Sequence, residues 1–288
     1  MGEEFNAFKI GNIDLVNTSI TNFEDYIGTI GFAKTEYNGR QFDFLSFNCE
    51  DSIMQDVYVR RAISYAIDKD NIVSAVFGNK YKTAEYPLDY GNYLYEANEA
   101  SSGYNLEQAK NMLETGGWEY TNNRWRKEID GYTQTLRVKI AVNKNNGDRV
   151  AVAENIKEQL ENIGINVTIN KISDDQYSSH IQNKDYQILL TGVFNAYSPD
   201  LTYYFADGNI SNYSNDDMKK LVQNAGIIKN EDEQKDIYKQ IYSKYKEDVP
   251  FVGLYRNKQM TISSTSLAGQ VKSNNYSSFF GIEEWYRK

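Results

Sequence analysis

Val59-Arg60-Arg61-Ala62-Ile63-Ser64-Tyr65-Ala66-Ile67-Asp68-Lys69 is the stretch from which the rest of the chain can be read. Val59, Ala62, Ile63, Ala66 and Ile67 recur at the 3–4 spacing of one buried helical stripe. Asp68 and Asp70 then offer N-caps to a second helix with Ile72, Val73, Val76 and Phe77 on its face, stopped by Gly78. Upstream, Lys34 to Phe47 reads as two strands around a hairpin turn at Asn38-Gly39. Ahead of it lie a short helix, Phe5 to Lys9, and a strand, Ile13 to Val16.

Downstream, residues 80–103 are long, irregular and rich in Tyr, Asn and Ser, as functional loops often are. A helix, Leu106 to Leu113, ends at Gly116-Gly117, and a hairpin turn is expected at Asp130-Gly131. Leu136, Val138, Ile140 and Val142 alternate as in a half-buried strand. An amphipathic helix, Val150 to Ile163, and a strand through Ile165, Val167 and Ile169 follow. This strand–helix–strand order predicts parallel pairing with a right-handed crossover. A short helix, Tyr177 to Ile181, precedes a buried strand, Tyr186 to Thr191, that runs into a loop from Gly192 to Pro199. Two helices (216–226 and 231–247) and two strands (Phe251 to Tyr255, Gln259 to Ser263) complete an α/β or α+β chain with a mixed sheet.

Composition narrows the function. The 288 residues carry 31 Lys plus Arg against 40 Asp plus Glu, a net charge of −9, which disfavours a nucleic-acid binder. One cysteine, Cys49, excludes an intrachain disulfide and a multi-Cys zinc site. One histidine, His180, excludes two-His metal sites and lies in no serine–histidine–acid context. No metal and no cofactor are expected. No run approaches the ~18 apolar residues of a membrane helix. The first residues, MGEEFNAFKIGN, lack a signal peptide's basic start and apolar run.

The helix at Val59–Lys69 resembles the signature helix of the extracytoplasmic solute-binding proteins of peptide ABC transporters, the oligopeptide-, dipeptide- and nickel-binding family 5. Three further strings are similar to the family's, in its order. These are Phe44-Leu45-Ser46-Phe47-Asn48 before that helix, Tyr104-Asn105-Leu106-Glu107-Gln108-Ala109-Lys110 with Leu113, Gly117 and Trp118, and Ala153-Glu154-Asn155-Ile156-Lys157-Glu158-Gln159-Leu160 through Gly164-Ile165. The resemblance implies a lobe like those of type II periplasmic binding proteins, in a protein of two lobes closing over a cleft. It further implies that residues 46–252 are the C-terminal ligand-binding lobe. Residues 1–45 and 253–288 would be remnants of the first lobe with the connecting strands. On that reading the chain is an excised piece or a truncated gene product of a longer exported protein.

The resemblance also directs attention to a cleft loop. In the family it carries a Trp and an Asp that pairs with the ligand's α-ammonium; here those positions are Val193 and Ala196. The expected ligand-binding residues are Asn48, Phe194, Asn195, Ala196, Tyr197, Tyr255 and Arg256, where Asn195 offers an acceptor and Arg256 a carboxylate partner. Tyr90, Tyr93 and Tyr95 are candidates to line the cleft. Arg60 is expected to tie its helix to a neighbouring carbonyl or acid, and Cys49 to be a buried structural thiol. The implied function is solute binding, of a small peptide or other small solute, with delivery to ABC permease subunits. A monomer is expected, extracellular or periplasmic, touching the membrane only through a lipid anchor outside this chain. The alternatives are a carboxylate-based enzyme on the same fold and a ligand-sensing lobe of a regulator.

Overall fold

The computed structural model describes residues 3–20, 22–88, 92–94, 103–129, 131–269 and 271–288. Its helices are α1 (Glu3–Lys9), α2 (Glu24–Ile27), α3 (Val57–Ala66), α4 (Lys69–Phe77), α5 (Leu106–Thr115), α6 (Gly147–Glu161), α7 (Asp174–Asn183), α8 (Thr202–Phe205), α9 (Asp216–Ile227) and α10 (Glu231–Asp248). Its strands are β1 (Leu15–Thr18), β2 (Phe32–Phe47), β3 (Lys82–Thr83), β4 (Glu119–Thr121), β5 (Arg124–Ile129), β6 (Tyr132–Thr135), β7 (Arg137–Asn143), β8 (Asn166–Ile172), β9 (Ile188–Phe194), β10 (Phe251–Ser264), β11 (Leu267–Ala268) and β12 (Tyr286–Arg287).

Local chemistry sets most boundaries. Asp56 and Asp68 cap α3 and α4 by accepting the N–H of Tyr58 and Asn71, and Gly78 ends α4 in the left-handed region at φ 56°. Asn105 and Asn146 cap α5 and α6 in the same way. The caps of α7 and α9 are Ser173 and Asn215, and Asp174–Asp175 and Asp216–Asp217 occupy the first turns, where the helix dipole favours them. Arg60 donates to the carbonyls of Met54, Gln55, Asp248 and Val249, and so ties α3 to the end of α10.

The main sheet runs β1-β10-β2-β9-β7-β8, with β3 also on β10. β7 pairs parallel to both β8 and β9, so the predicted strand–helix–strand unit is present as β7–α6–β8. The other pairings in this sheet are antiparallel, so the sheet is mixed, as expected.

Three sequence expectations change, the first being that the strands expected at Phe251 to Tyr255 and Gln259 to Ser263 are one continuous strand, β10. Lys34 to Phe47 is not a hairpin: β2 is one continuous strand that pairs with β10 along its length. Asn38-Gly39 lies at a bulge, where Arg256 faces Phe42 and Lys258 faces Asn38, leaving Gly39, Arg40 and Gln41 opposite Asn257 alone. The glycine serves close approach rather than a turn, because a Cβ built on Gly39 would overlap the Asn257 side chain. Likewise, Gly192 to Phe194 are not loop. β9 continues through them, pairing Gly192 with Asp43 and Phe194 with Gln41.

Three apolar cores result among the described residues. One packs α3, α4, α5 and α6 on one face of the sheet through Leu45, Ile63, Ile140 and Leu254. A second packs α8, α9 and α10 on the other face through Phe44, Leu189, Phe205 and Phe251. A third joins Phe5, Phe8, Val16 and Phe23 to Met260 and Ile262 at the far end of β10. β2 and β10 therefore run between the first two cores and the third.

Candidate functional site

Alternation along a strand puts neighbouring residues on opposite faces. On β2, Phe42 and Phe44 enter the second core, while Asp43 points the other way, only 4% exposed. A buried carboxylate needs compensation. Arg149, in the first turn of α6, supplies it with a two-pronged ion pair: Nε to Oδ2 at 2.7 Å and Nη2 to Oδ1 at 3.1 Å. Tyr255 on β10 donates its hydroxyl to Oδ2 at 3.0 Å, and Gln41 donates Nε2 to Oδ1 at 2.8 Å. Both oxygens of Asp43 thus accept two hydrogen bonds. Gly192 makes the cluster possible, since a Cβ there would overlap Asp43 Oδ1, Arg149 Nη2 and Gln41 Nε2.

This cluster forms part of the wall of a solvent-open cavity of about 270 Å³. Phe77, Tyr81 and Asp148 line it at the α4–α6 side, and Ser19, Asn257 and Gln259 at the side of the third core. Burial opposes the Arg149 charge, but the hydrogen bonds and attraction of Asp43 outweigh it and hold its pKa above the ordinary value. The Tyr255 hydroxyl is raised by burial and then by the Asp43 charge. Tyr81 is pushed up to about 12 by burial, then by Asp148 and Asp43. Tyr255 is therefore a neutral donor to Asp43. Asp148 is exposed and has no ion-pair partner among the described residues, so this wall carries Asp43 and Arg149 in balance plus one unpaired negative charge.

The residues singled out from the sequence are dispersed. Tyr255 belongs to the cluster, and Phe194, 69% exposed, lines the same cavity. Ala196 and Tyr197 are exposed; Tyr197 stacks on Tyr276 at 5.4 Å between ring centres, with the Arg40 guanidinium over its ring. Asn195 is buried, and its amide donates to the Pro87 carbonyl at 2.8 Å and accepts from the Tyr204 hydroxyl at 3.3 Å, which braces the end of β9. Arg256 is 1% exposed and turned to the face opposite Tyr255, against Phe42, where it donates to the carbonyls of Tyr86 and Leu88. Asn48 sits at the other end of β2, bonded to the Lys184 carbonyl and to Asn212, and lines a different concavity with His180 and Lys184. As placed, Asn195, Arg256 and Asn48 hold backbone rather than face the cavity.

Of the loop tyrosines, Tyr93 donates to Gln234, away from the cavity, and Tyr90 and Tyr95 lie outside the described residues. Cys49 is half-buried rather than fully buried, and partial burial first, then Asp248 and Glu50, push its thiol up to about 11. Among the described residues no group of three or more His, Cys, Asp or Glu side chains could hold a metal ion, and no helix is long and apolar enough to cross a membrane.

Sequence reasoning passed over Asp43, Gln41, Arg149, Asp148, Asn257 and Gln259. Two signals were available. Asp43 is a single acid between Phe42 and Phe44 in an apolar strand, and Gly192 breaks another, which marks a close approach.

Comparison with known proteins agrees with this architecture. The oligopeptide-binding protein AppA of Bacillus subtilis is 28% identical over 257 residues, covering 84% of this chain and 46% of that protein. Heme-binding protein A of Haemophilus influenzae is 24% identical over 259 residues, covering 86% of this chain and 45% of that protein. The chain thus spans about half the length of the curated relatives it matches. The structure of B. subtilis AppA in complex with a nonapeptide superposes with a TM-score of 0.79 at 23% identity, covering 99% of this chain and 58% of that one. That likeness fixes the fold as that of the peptide-binding type II periplasmic proteins. These relatives are binding proteins rather than enzymes. The family model for bacterial extracellular solute-binding proteins, family 5 (middle region), matches residues 3–215, and the chain belongs to that family.

Proposed function

We propose that this chain forms part of the ligand-binding surface of an ABC importer's solute receptor, and that its solute is a short peptide. The observation that carries the reading is the cavity beside the Asp43–Arg149 pair. It opens where β2 and β10 pass between the first two cores and the third, the place where closure of two bodies would enclose a ligand. Its wall offers hydrogen-bonding side chains, aromatic surface and one unpaired carboxylate, Asp148, suited to a ligand ammonium now that Ala196 holds the position of the family's acid. The AppA likeness supports a peptide as solute. In the full-length protein the closed receptor would dock on permease subunits and act as a monomer, lipid-anchored at the extracellular face of the cytoplasmic membrane or in the periplasm.

Native mass spectrometry tests the ligand class. The purified chain is sprayed alone, with a library of peptides two to five residues long, and with heme. Retention of peptides, weakened by D148N, is the expected result, with affinity weaker than about micromolar because one lobe supplies only part of the contacts. Retention of heme in preference to every peptide would overturn the peptide assignment.

A further inference from the structure

We infer that Asn257 and Gln259 together read one backbone amide unit of the ligand. The two residues are separated by one position on β10 and therefore share a face, and both line the cavity. Among the described residues, Asn257 leaves a donor without a partner, and Gln259 leaves an acceptor without one.

At the β2 bulge, Asn257 takes the place of the missing ladder bond: its Oδ1 accepts the Gln41 N–H at 3.1 Å. That contact fixes which way the amide points. The Nδ2 group is left as a donor with no acceptor among the described residues. Asn257 is only 6% exposed and Gly39 leaves the space it occupies, so this donor is held rather than free to rotate. Gln259 presents the opposite need. Its Oε1 is buried and accepts no hydrogen bond. A buried acceptor without a donor is costly and rare in folded chains, and it calls for a partner.

One donor and one acceptor, two residues apart on one strand face, match the C=O and N–H that a single residue of an extended peptide presents on the same edge. Gln259 and Phe194 also line a second concavity, with Tyr197 and Tyr276, so the two concavities adjoin at these residues. Asp148 lines the first; the Tyr197–Tyr276 stack lines the second. A peptide would lie with its ammonium towards Asp148 and be gripped at its first internal residue by Asn257 and Gln259. This assignment rests on the peptide reading given above and deepens it.

The experiment is an NMR titration of the ¹⁵N-labelled chain with trialanine at millimolar concentration. It is repeated with the two analogues in which one amide N–H is replaced by an ester oxygen, and on Q259M. Methionine keeps the volume and removes the acceptor, and loss of an unpartnered buried acceptor leaves the fold intact or steadier. Trialanine is expected to shift the Asn257 side-chain NH₂ signals. One ester analogue, but not the other, should bind about fivefold to tenfold more weakly to the parent chain. In Q259M trialanine should weaken by the same factor, and the discrimination against that ester should vanish. If trialanine shifts the Arg149 and Gln41 side-chain signals while leaving Asn257 still and Q259M unaffected, the amide assignment fails and the peptide cavity stands. If no cavity signal moves, the peptide reading fails and the assignment falls with it.

Discussion

Replacing Arg149 by Met leaves Asp43 buried, with Tyr255 and Gln41 as its remaining donors. The lost partner made two charge-assisted contacts, at 2.7 and 3.1 Å, and the two side chains are only 13% and 6% exposed. Removing one member of a well-buried pair costs about 3 kcal/mol or more, mostly because the survivor keeps an uncompensated charge. For a chain of this size that lowers the melting temperature by about 6 °C. The converse change, D43N, leaves Arg149 uncompensated and costs a similar amount. The double variant removes both charges, so its loss should fall short of the sum of the singles by about 2 kcal/mol. Thermal unfolding followed by circular dichroism, on all four proteins at pH 7, reads each term. Strict additivity, or an R149M loss below about 1 kcal/mol, would show that the pair is no firmer than a surface ion pair. The cavity wall would then not be held by it.

Further expectations follow from the same packing. Gly192→Ala pushes a methyl group into Asp43, Arg149 and Gln41 and should cost about 1–3 kcal/mol by urea unfolding, less in the R149M background, where one of the crowded groups is gone. Arg60→Met strands the carbonyls of four residues and should cost about 3 kcal/mol, with R60K recovering little because an ammonium lacks the fork; full recovery by lysine would refute the role assigned to the guanidinium. Cys49, raised from 9.0 to about 11, keeps its proton more tightly folded than unfolded. Its contribution to stability is therefore complete below pH 9 and lost as pH rises through 11, so the C49S variant should show a shallower alkaline fall in unfolding free energy than the parent. The same burial should make the thiol slow towards Ellman's reagent at pH 8 in the native chain and fast in guanidinium.

The local periods of the chain carried much of the fold. The 3–4 spacing in α3, the Asp68 and Gly78 boundaries of α4, and the alternation in β7 depend on residues close in sequence, and each is present in the structure. So does the parallel β7–α6–β8 unit, because the length of the crossover dictates the pairing. Membership in the solute-binding family was legible in four strings for the same reason: they encode elements and their caps.

The site was not legible in this way. Asp43, Arg149, Tyr255 and Gly192 lie on four different elements, and their ion pair spans 106 residues of sequence. Arg256 looked equal to Tyr255 as a candidate, yet strand alternation sends Arg256 against Phe42 of the second core and Tyr255 to Asp43 at the cavity wall. Asn38-Gly39 carries the strongest short turn signal in the chain, and β10 overrides it by pairing with β2 both before and after that position. Sequence alone determined the elements and their order, since propensity, period and capping act over a few residues. Only the tertiary structure decided which glycine is a turn and which makes room, which charged side chain is neutralised, and which amide groups remain without a partner, because those outcomes depend on what distant strands bring to the same place.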